Sequence, residues 1–282
     1  MQLAERAQGE LLCFDSTTVY RGLDIGTGKP TLEDRQGCPH DLLDLVEAGQ
    51  EFSLAQFLEH AERALKEVLQ KGKQPILVGG SYLYVRAFLE GFQVPQVAPD
   101  ATFRLWAESQ ALEHLVGQLR ELDPQSLNLV DLQNPRRVVR ALEVCRSGTL
   151  FSAGYRRQPR RQKWRKIGLQ AEPDWLKTRI LKRCQEMLAQ GLRQEVEAFC
   201  EKGLREWLLS MRFIGYPEVV EGLQRSTTDE TLAQSMADST WRLVKKQRTW
   251  GRSEGGVDWL QADDPDLVEL AWTKLHQPEE II

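Results

Sequence analysis

PILVGGSYLYVRAFLEGF, residues 75–92, decides the fold class. Pro75-Ile76-Leu77-Val78 has the length and apolar character of a strand buried on both faces. Gly79-Gly80-Ser81 then turns sharply, and a helical pattern runs from Tyr82 to Gly91, a C-cap glycine. A strand that turns through glycines into a helix is a βα junction. Its free backbone N–H groups can hold an anion or a polar ligand edge, although the glycines are also what a tight turn alone requires. Working backwards, Ser53 with Gln56 is a capping box, and Leu54, Phe57, Leu58, Ala61, Leu65 and Leu69 recur at helical spacing up to Lys71-Gly72-Lys73. Residues 11–14 form an earlier apolar run of strand length. Strand, helix, strand, helix in that order predicts an α/β protein with a parallel sheet.

Working forwards, strand signals vanish from about residue 100 and return only at Ile167-Gly168-Leu169. Residues 101–122 read as helical. A further helix starts at Asn134, a plausible N-cap, with Pro135 in the first helical position, and Gly148 closes it. Later helices are expected over about 174–190, 192–203 and 230–247. The expected organisation is an α/β core of residues 1–99 and 163–282, with a helical insert over 100–162.

The composition is that of an ordinary globular chain: 282 residues, 41% hydrophobic and 28% charged. No apolar run approaches the roughly 18 residues of a membrane span. The start, MQLAERAQGELL, lacks the basic-then-apolar order of a secretory signal and reads as the back half of a helix. Cys13, Cys38, Cys145, Cys184 and Cys200 are dispersed without a CxxC pair, which predicts reduced thiols and a cytoplasmic setting. Cys38-Pro39-His40 is half of a metal-site spacing with no second half, so packing or surface is the better reading. The net charge of −4 hides an asymmetry. Residues 136–166 hold eleven Arg or Lys against Glu143 alone, a local +10 that leaves −14 elsewhere. A basic face on an acidic protein suggests nucleic acid. Seven of the eleven residues after Tyr155 are basic, with Trp164 among them. Such a run is either a solvated loop or a phosphate-binding, base-stacking segment.

DSTTVYRGLDIGTGKP, residues 15–30, ends like a phosphate-binding loop. That loop needs a glycine five residues before its Gly-Lys and a Ser or Thr after it. Leu23 and Pro30 occupy those places, and Pro30 has neither a hydroxyl nor a backbone N–H. Asp15, by contrast, directly follows a strand. Ligands of open parallel sheets sit beyond the carboxyl ends of the strands, so Asp15 is placed either for chemistry or merely to cap its turn.

Taken together, DSTTVYRGLDIGTGKPT, PHDLLDLV, FSLAQF, PILVGGSYLYVRAFLEGF, NPRRVVRALEV, RILKRCQEMLAQGL, IGY and KKQRTW resemble, in order, the bacterial tRNA dimethylallyltransferase family. Within that resemblance DIGTGKP matches the family's own loop, distinct from its phosphate loop. The resemblance implies an α/β core like that of P-loop, ATP-binding nucleotide kinases, carrying an inserted helical tRNA-binding domain. It implies transfer of a dimethylallyl group from its diphosphate to N6 of the adenine beside the anticodon, position 37, in tRNAs reading codons that start with U. It implies a monomer that works in the cytoplasm on the tRNA anticodon stem-loop and dimethylallyl diphosphate, with Mg2+ and no membrane.

By residue, the resemblance makes Asp15 the catalytic base. It assigns tRNA contact to Asp15, Ser16, Thr17, Thr18, Ser81 and Arg104, and to Arg136, Arg137, Val138, Val139 and Arg140. Further tRNA contacts fall on Arg212, Phe213, Ile214, Gly215, Tyr216 and Pro217, and on Lys245, Lys246, Gln247 and Arg248. Arg183 and then Arg179 are its diphosphate contacts, although their spacing alone fits an exposed helix face. Ser81 stands where the family usually has Thr, Asn134 where it has Asp, and Pro217 where it has a basic residue. The family also begins with a strand, a phosphate loop bearing its lysine and metal-holding hydroxyl, and a helix. Here the chain starts inside that helix, so the expectation is that the first strand and the phosphate loop are missing from it and that the native protein extends upstream. Two other readings are a catalytically impaired tRNA-binding remnant and a transferase acting on free adenine nucleotides. The +10 insert disfavours the second of these, since a small nucleotide needs no such surface.

Overall fold

A computed structural model of the chain describes residues 1–93, 95, 97–154, 163–277 and the backbone of 156–157. Most of the basic run after Tyr155 therefore lies outside the described residues. In chain order, α1 (Gln2–Arg6) leads into β1 (Gly9–Cys13), and three short strands follow, β2 (Tyr20–Arg21), β3 (His40–Asp41) and β4 (Val46–Glu47). Next come α2 (Leu54–Gln70), β5 (Gln74–Val78), α3 (Tyr82–Leu89) and β6 (Phe92–Gln93). The helical stretch comprises α4 (Ala101–Glu108), α5 (Leu112–Leu122), a 3₁₀ turn (Pro124–Asn128), α6 (Pro135–Arg146) and α7 (Phe151–Gly154), followed by β7 (Arg156–Arg157). The C-terminal part is β8 (Lys166–Gln170), α8 (Pro173–Ala189), α9 (Leu192–Glu201), α10 (Arg205–Met211), α11 (Tyr216–Arg225), α12 (Asp229–Ser253), β9 (Val257–Gln261) and α13 (Leu267–His276).

The α/β class and the parallel pairing are as the sequence predicts. β1 lies between β3 and β5, parallel to both, with Leu11 opposite His40 on one side and Ile76 on the other. A strand with two neighbours and covered faces is largely apolar, and Leu11, Leu12 and the following Phe14 are buried, while the buried Glu10 of the same strand is paired with Lys71 (2.8 Å). β8 and β9 form a separate parallel pair. Among the described residues β5 pairs with β1 alone and β8 with β9 alone. The capping box of α2 is formed: Ser53 N–H donates to Gln56 Oε1 (2.8 Å) and Gln56 N–H to Ser53 Oγ (3.2 Å).

The chain divides into two compact units. The first holds residues 1–52, 60–85 and 163 onward, and the second holds 53–59 and 86–162. The longer stretch of the second unit thus starts at Arg86, inside α3, ahead of residue 100 where helical character takes over in the sequence. Periodicity marks the type of an element, not the unit it packs with. The second unit is held by its own core, in which Phe103, Ala107, Leu115, Leu119, Val138, Ala141 and Leu142 are buried together.

Candidate active site

The first unit gathers two turns of the sequence around the end of β1. Phe14 N–H donates to Val78 O (2.7 Å) and Ser81 N–H to Phe14 O (3.4 Å), so the glycine turn is tied to the residue before Asp15. Gly79 is required there, because a Cβ on it would lie 2.0 Å from the Phe14 carbonyl oxygen. Ser81 Oγ accepts the Ser16 N–H (2.9 Å) and is within 3.2 Å of Ser16 Oγ. Asp15 caps its own turn: Oδ1 accepts from Thr17 N–H (2.7 Å), Thr17 Oγ1–H (2.6 Å) and, at 3.4 Å, Thr18 N–H. Its other oxygen, Oδ2, takes none of these bonds. Thr18 Oγ1 is buried beside it and has no hydrogen-bond partner among the described residues. Tyr84, one turn into α3, is close enough for the Asp15 charge to act on it. Burial first, then the charges of Tyr20 and Asp15, push its phenol up to about 12, so it stays protonated.

α12 reaches the same turn. Gln247 Nε2 donates to Gly80 O (3.0 Å), and the Trp250 ring stacks on Tyr82 (centroids 5.7 Å apart). Tyr82 also donates to Glu254, which accepts from Lys166. Lys245, Lys246 and Arg248 are exposed along this stretch. Asp15, Ser16, Ser81 and Gln247 are therefore brought together.

The DIGTGKP loop is not a phosphate cradle. Lys29, whose side chain is 3% exposed, donates to Tyr20 O (2.8 Å), Asp24 Oδ1 (2.6 Å) and Asp44 Oδ1 (2.6 Å). Three partners use all three ammonium protons. The loop's other end meets Glu195 of α9, whose carboxylate accepts the backbone N–H groups of Asp24, Ile25 and Gly26 and the Tyr216 hydroxyl. Gly28, at φ +63°, leaves room for Arg183 of α8, whose Nη2 would be 1.9 Å from a Cβ there. Arg183 and Arg179 are exposed, and Arg179 lies over the Trp175 ring.

In the 212–217 segment, Arg212 is exposed and left-handed (φ +54°), and Phe213, Ile214 and Pro217 are half-buried. Tyr216 is fully buried (0%), so its side chain belongs to the core and not to a contact surface. In the second unit Val138 is likewise fully buried, because it sits on the apolar side of α6, and Val139 packs against the same cluster. Arg136 and Arg137 face solvent. Arg104 and Arg140 are engaged within the protein. Both bond the buried Glu143 carboxylate, and Arg140 also donates to Val97 O (2.7 Å). Charge counting could not have found the roles of Lys29, Glu195 or Tyr84, which depend on the partners that the fold brings to each.

No group of three or more His, Cys, Asp or Glu among the described residues could hold a metal ion. Mg2+ is usually held by one or two side-chain oxygens together with substrate phosphates and not by an all-protein cage, so the lack of such a cluster does not bar one. Among the described residues no helix is long and apolar enough to cross a membrane.

The family model described as IPPT, IPP transferase, matches residues 18–254. A protein of Kocuria rhizophila named tRNA dimethylallyltransferase is 39% identical over 272 residues, covering 95% of this chain and 86% of the relative. One of the same name from Thermomicrobium roseum is 36% identical, covering 95% and 83%. The crystal structure of a full-length tRNA isopentenylpyrophosphate transferase from Bacillus halodurans is similar with a TM-score of 0.69 at 31% identity, over 97% of this chain and 90% of that one. A eukaryotic dimethylallyltransferase solved acting on tRNA shares the fold, with a TM-score of 0.69 at 24% identity, over 98% of this chain and 72% of that one.

Proposed function

The chain belongs to the IPP transferase family, and on that premise we propose that it moves a dimethylallyl group from dimethylallyl diphosphate to N6 of the adenine beside the anticodon, position 37, of tRNAs reading codons that start with U. It is a tRNA dimethylallyltransferase. The observation that carries the mechanism is the state of Asp15: one oxygen is fixed by its own turn, and the other is left for a substrate proton. An exocyclic amine is a weak nucleophile, because its lone pair is delocalised into the ring. As N6 attacks the allylic carbon, the carbon–oxygen bond to the diphosphate breaks and its electron pair leaves with the diphosphate. The N6 proton passes to Asp15 Oδ2. Developing negative charge on the leaving group is met by the exposed guanidinium of Arg183, with Arg179 beside it on the same helix. The adenine leaves its stack to reach this site, as bases do for enzymes that act on them. Exposed Arg136, Arg137, Arg212, Lys245, Lys246 and Arg248 grip tRNA phosphates. The protein acts as a monomer, and in the cytoplasm, a setting that five free cysteines suit.

The test is Asp15→Ala in a transfer assay with both substrates, paired with a tRNA binding measurement. Transfer is expected to fall about 100-fold or more, the scale of a lost general base, with tRNA affinity retained. Transfer at the wild-type rate refutes the assignment.

A further inference from the structure

We infer that Glu195 is a positioning residue: it locks the loop of residues 24–29 to the 212–217 turn and so fixes the spacing at which the Asp15 side of the site and that turn meet tRNA. The inference rests on the tRNA-modifying reading above. Glu195 lies in the first turn of α9. Its Oε2 accepts Asp24 N–H (3.0 Å) and Ile25 N–H (2.8 Å). Its Oε1 accepts Gly26 N–H (3.3 Å) and the Tyr216 hydroxyl (2.6 Å). Three successive backbone N–H groups converging on one anion form a nest, a geometry that selects a carboxylate over a neutral group. Tyr216 is fully buried, and its phenol is pushed up by burial and by the Glu195 charge, so it remains a donor.

The contact is built from both sides. Gly26 allows the Tyr216 ring to lie against the loop, since a Cβ on Gly26 would come within 2.6 Å of that ring. Gly215, at φ +100°, delivers Tyr216 into the first turn of α11, and its N–H is held by Glu218 (2.8 Å). A second fastening runs in parallel. Lys29 holds the Tyr20 carbonyl, and the Tyr20 ring packs on Phe213 of the same turn (centroids 5.5 Å apart). The chain from Asp15 to Lys29 and the turn from Arg212 to Pro217 are thus joined at two points, and at one of them the Glu195 carboxylate bonds both sides.

The experiment measures steady-state transfer by the full chain, varying tRNA and dimethylallyl diphosphate independently, for Glu195→Gln, Tyr216→Phe and the double variant. Each single change is expected to lower kcat/KM for tRNA about tenfold, which is about 1.4 kcal/mol, with the KM for dimethylallyl diphosphate within about twofold of wild type. Residues that act as one unit are not additive, so the double variant is expected to be no worse than the poorer single one. Unchanged tRNA kinetics in folded Glu195→Gln, a loss confined to melting temperature, or a fully additive double variant each overturn the inference. If Glu195→Gln does not fold, Tyr216→Phe, which removes one hydroxyl, decides it by the same criterion. A wild-type chain that neither binds nor modifies tRNA sinks the functional reading itself, and the inference falls with it.

Discussion

Glu143 is the sharpest point at which to perturb the second unit. Its side chain is 1% exposed and accepts four hydrogen bonds: Arg104 Nε at 2.6 Å, Arg104 Nη2 at 2.9 Å, Arg140 Nη1 at 3.0 Å and Asp100 N at 3.0 Å. Glu143→Gln keeps the shape, removes the charge and turns an NH2 group towards a guanidinium. Breaking a fully buried ion pair costs about 3–5 kcal/mol. Here Arg104 and Arg140 are 46% and 31% exposed, so water recovers part of their solvation and the expected loss is about 2 kcal/mol. In urea that lowers the unfolding midpoint by roughly 1 M. The pH dependence carries a definite sign. Burial opposes the Glu143 charge, but the bonds from Arg104, Arg140 and the Asp100 N–H outweigh it and hold the carboxyl below its ordinary range. A carboxyl lowered on folding stabilises the protein above its unfolded value, about 4.3, and the gain is lost as pH falls through the folded one. The gap between wild type and Glu143→Gln is thus full at pH 7 and closes in acid. Equal midpoints at pH 7, or a gap that persists well below pH 4, would refute the clamp.

Replacing the exposed Arg136 and Arg137 together by Ala is expected to flatten the slope of log K against log salt for tRNA by about 0.7–0.9 for each phosphate that the variant no longer neutralises; an unchanged slope removes this helix from the RNA surface. Gly79→Ala places a methyl group against the Phe14 carbonyl and is expected to cost about 1–3 kcal/mol and to disrupt transfer, because it wedges apart the two strand ends that seat Asp15. Unaltered urea unfolding would show that the turn can give. Lys29→Met leaves Asp24 and Asp44 facing each other without their cation, at an expected cost of about 2 kcal/mol given their partial exposure. Equal stability would show the triad to be neutral.

Local pattern carried the core of the fold. Apolar runs at residues 11–14 and 75–78, and the capping box before α2, were enough for the α/β class, since each signal is complete within a few residues. The pair β8–β9 was only half legible. Residues 257–261 hold one acidic residue, one Trp and one Gln among two aliphatic ones, and only the register against residues 166–170 reveals a strand. In the site, Asp15 was legible because a strand end precedes it. Arg140 was legible as positive charge and Arg104 through the family resemblance, but neither signal can show that a single buried carboxylate, Glu143, takes up both. Val138 and Tyr216 stand inside motifs that the family resemblance assigns to RNA, yet their side chains face the core. A motif fixes residue types, whereas burial decides which of them present an atom to a ligand.

The Gly28-Lys29 pair shows how far that distinction reaches. A phosphate-loop lysine needs an ammonium with free protons, whereas Lys29 has spent its three on Tyr20 O, Asp24 and Asp44. Freeing one would strand two carboxylates beside a side chain that is 3% exposed. Lys29 thus stiffens the loop, in line with a sequence that lacks the glycine and the hydroxyl of a phosphate loop at residues 23 and 30. The neighbouring glycine then gains a purpose of its own: with no Cβ at residue 28, the Arg183 guanidinium can lie against the stiffened loop. On the proposed mechanism, positive charge for the diphosphate comes from α8, and the DIGTGKP loop supplies the surface against which it is set. Replacing Lys29 would therefore act on stability and on the Arg183 geometry together, whereas replacing Arg183 would act on the diphosphate alone.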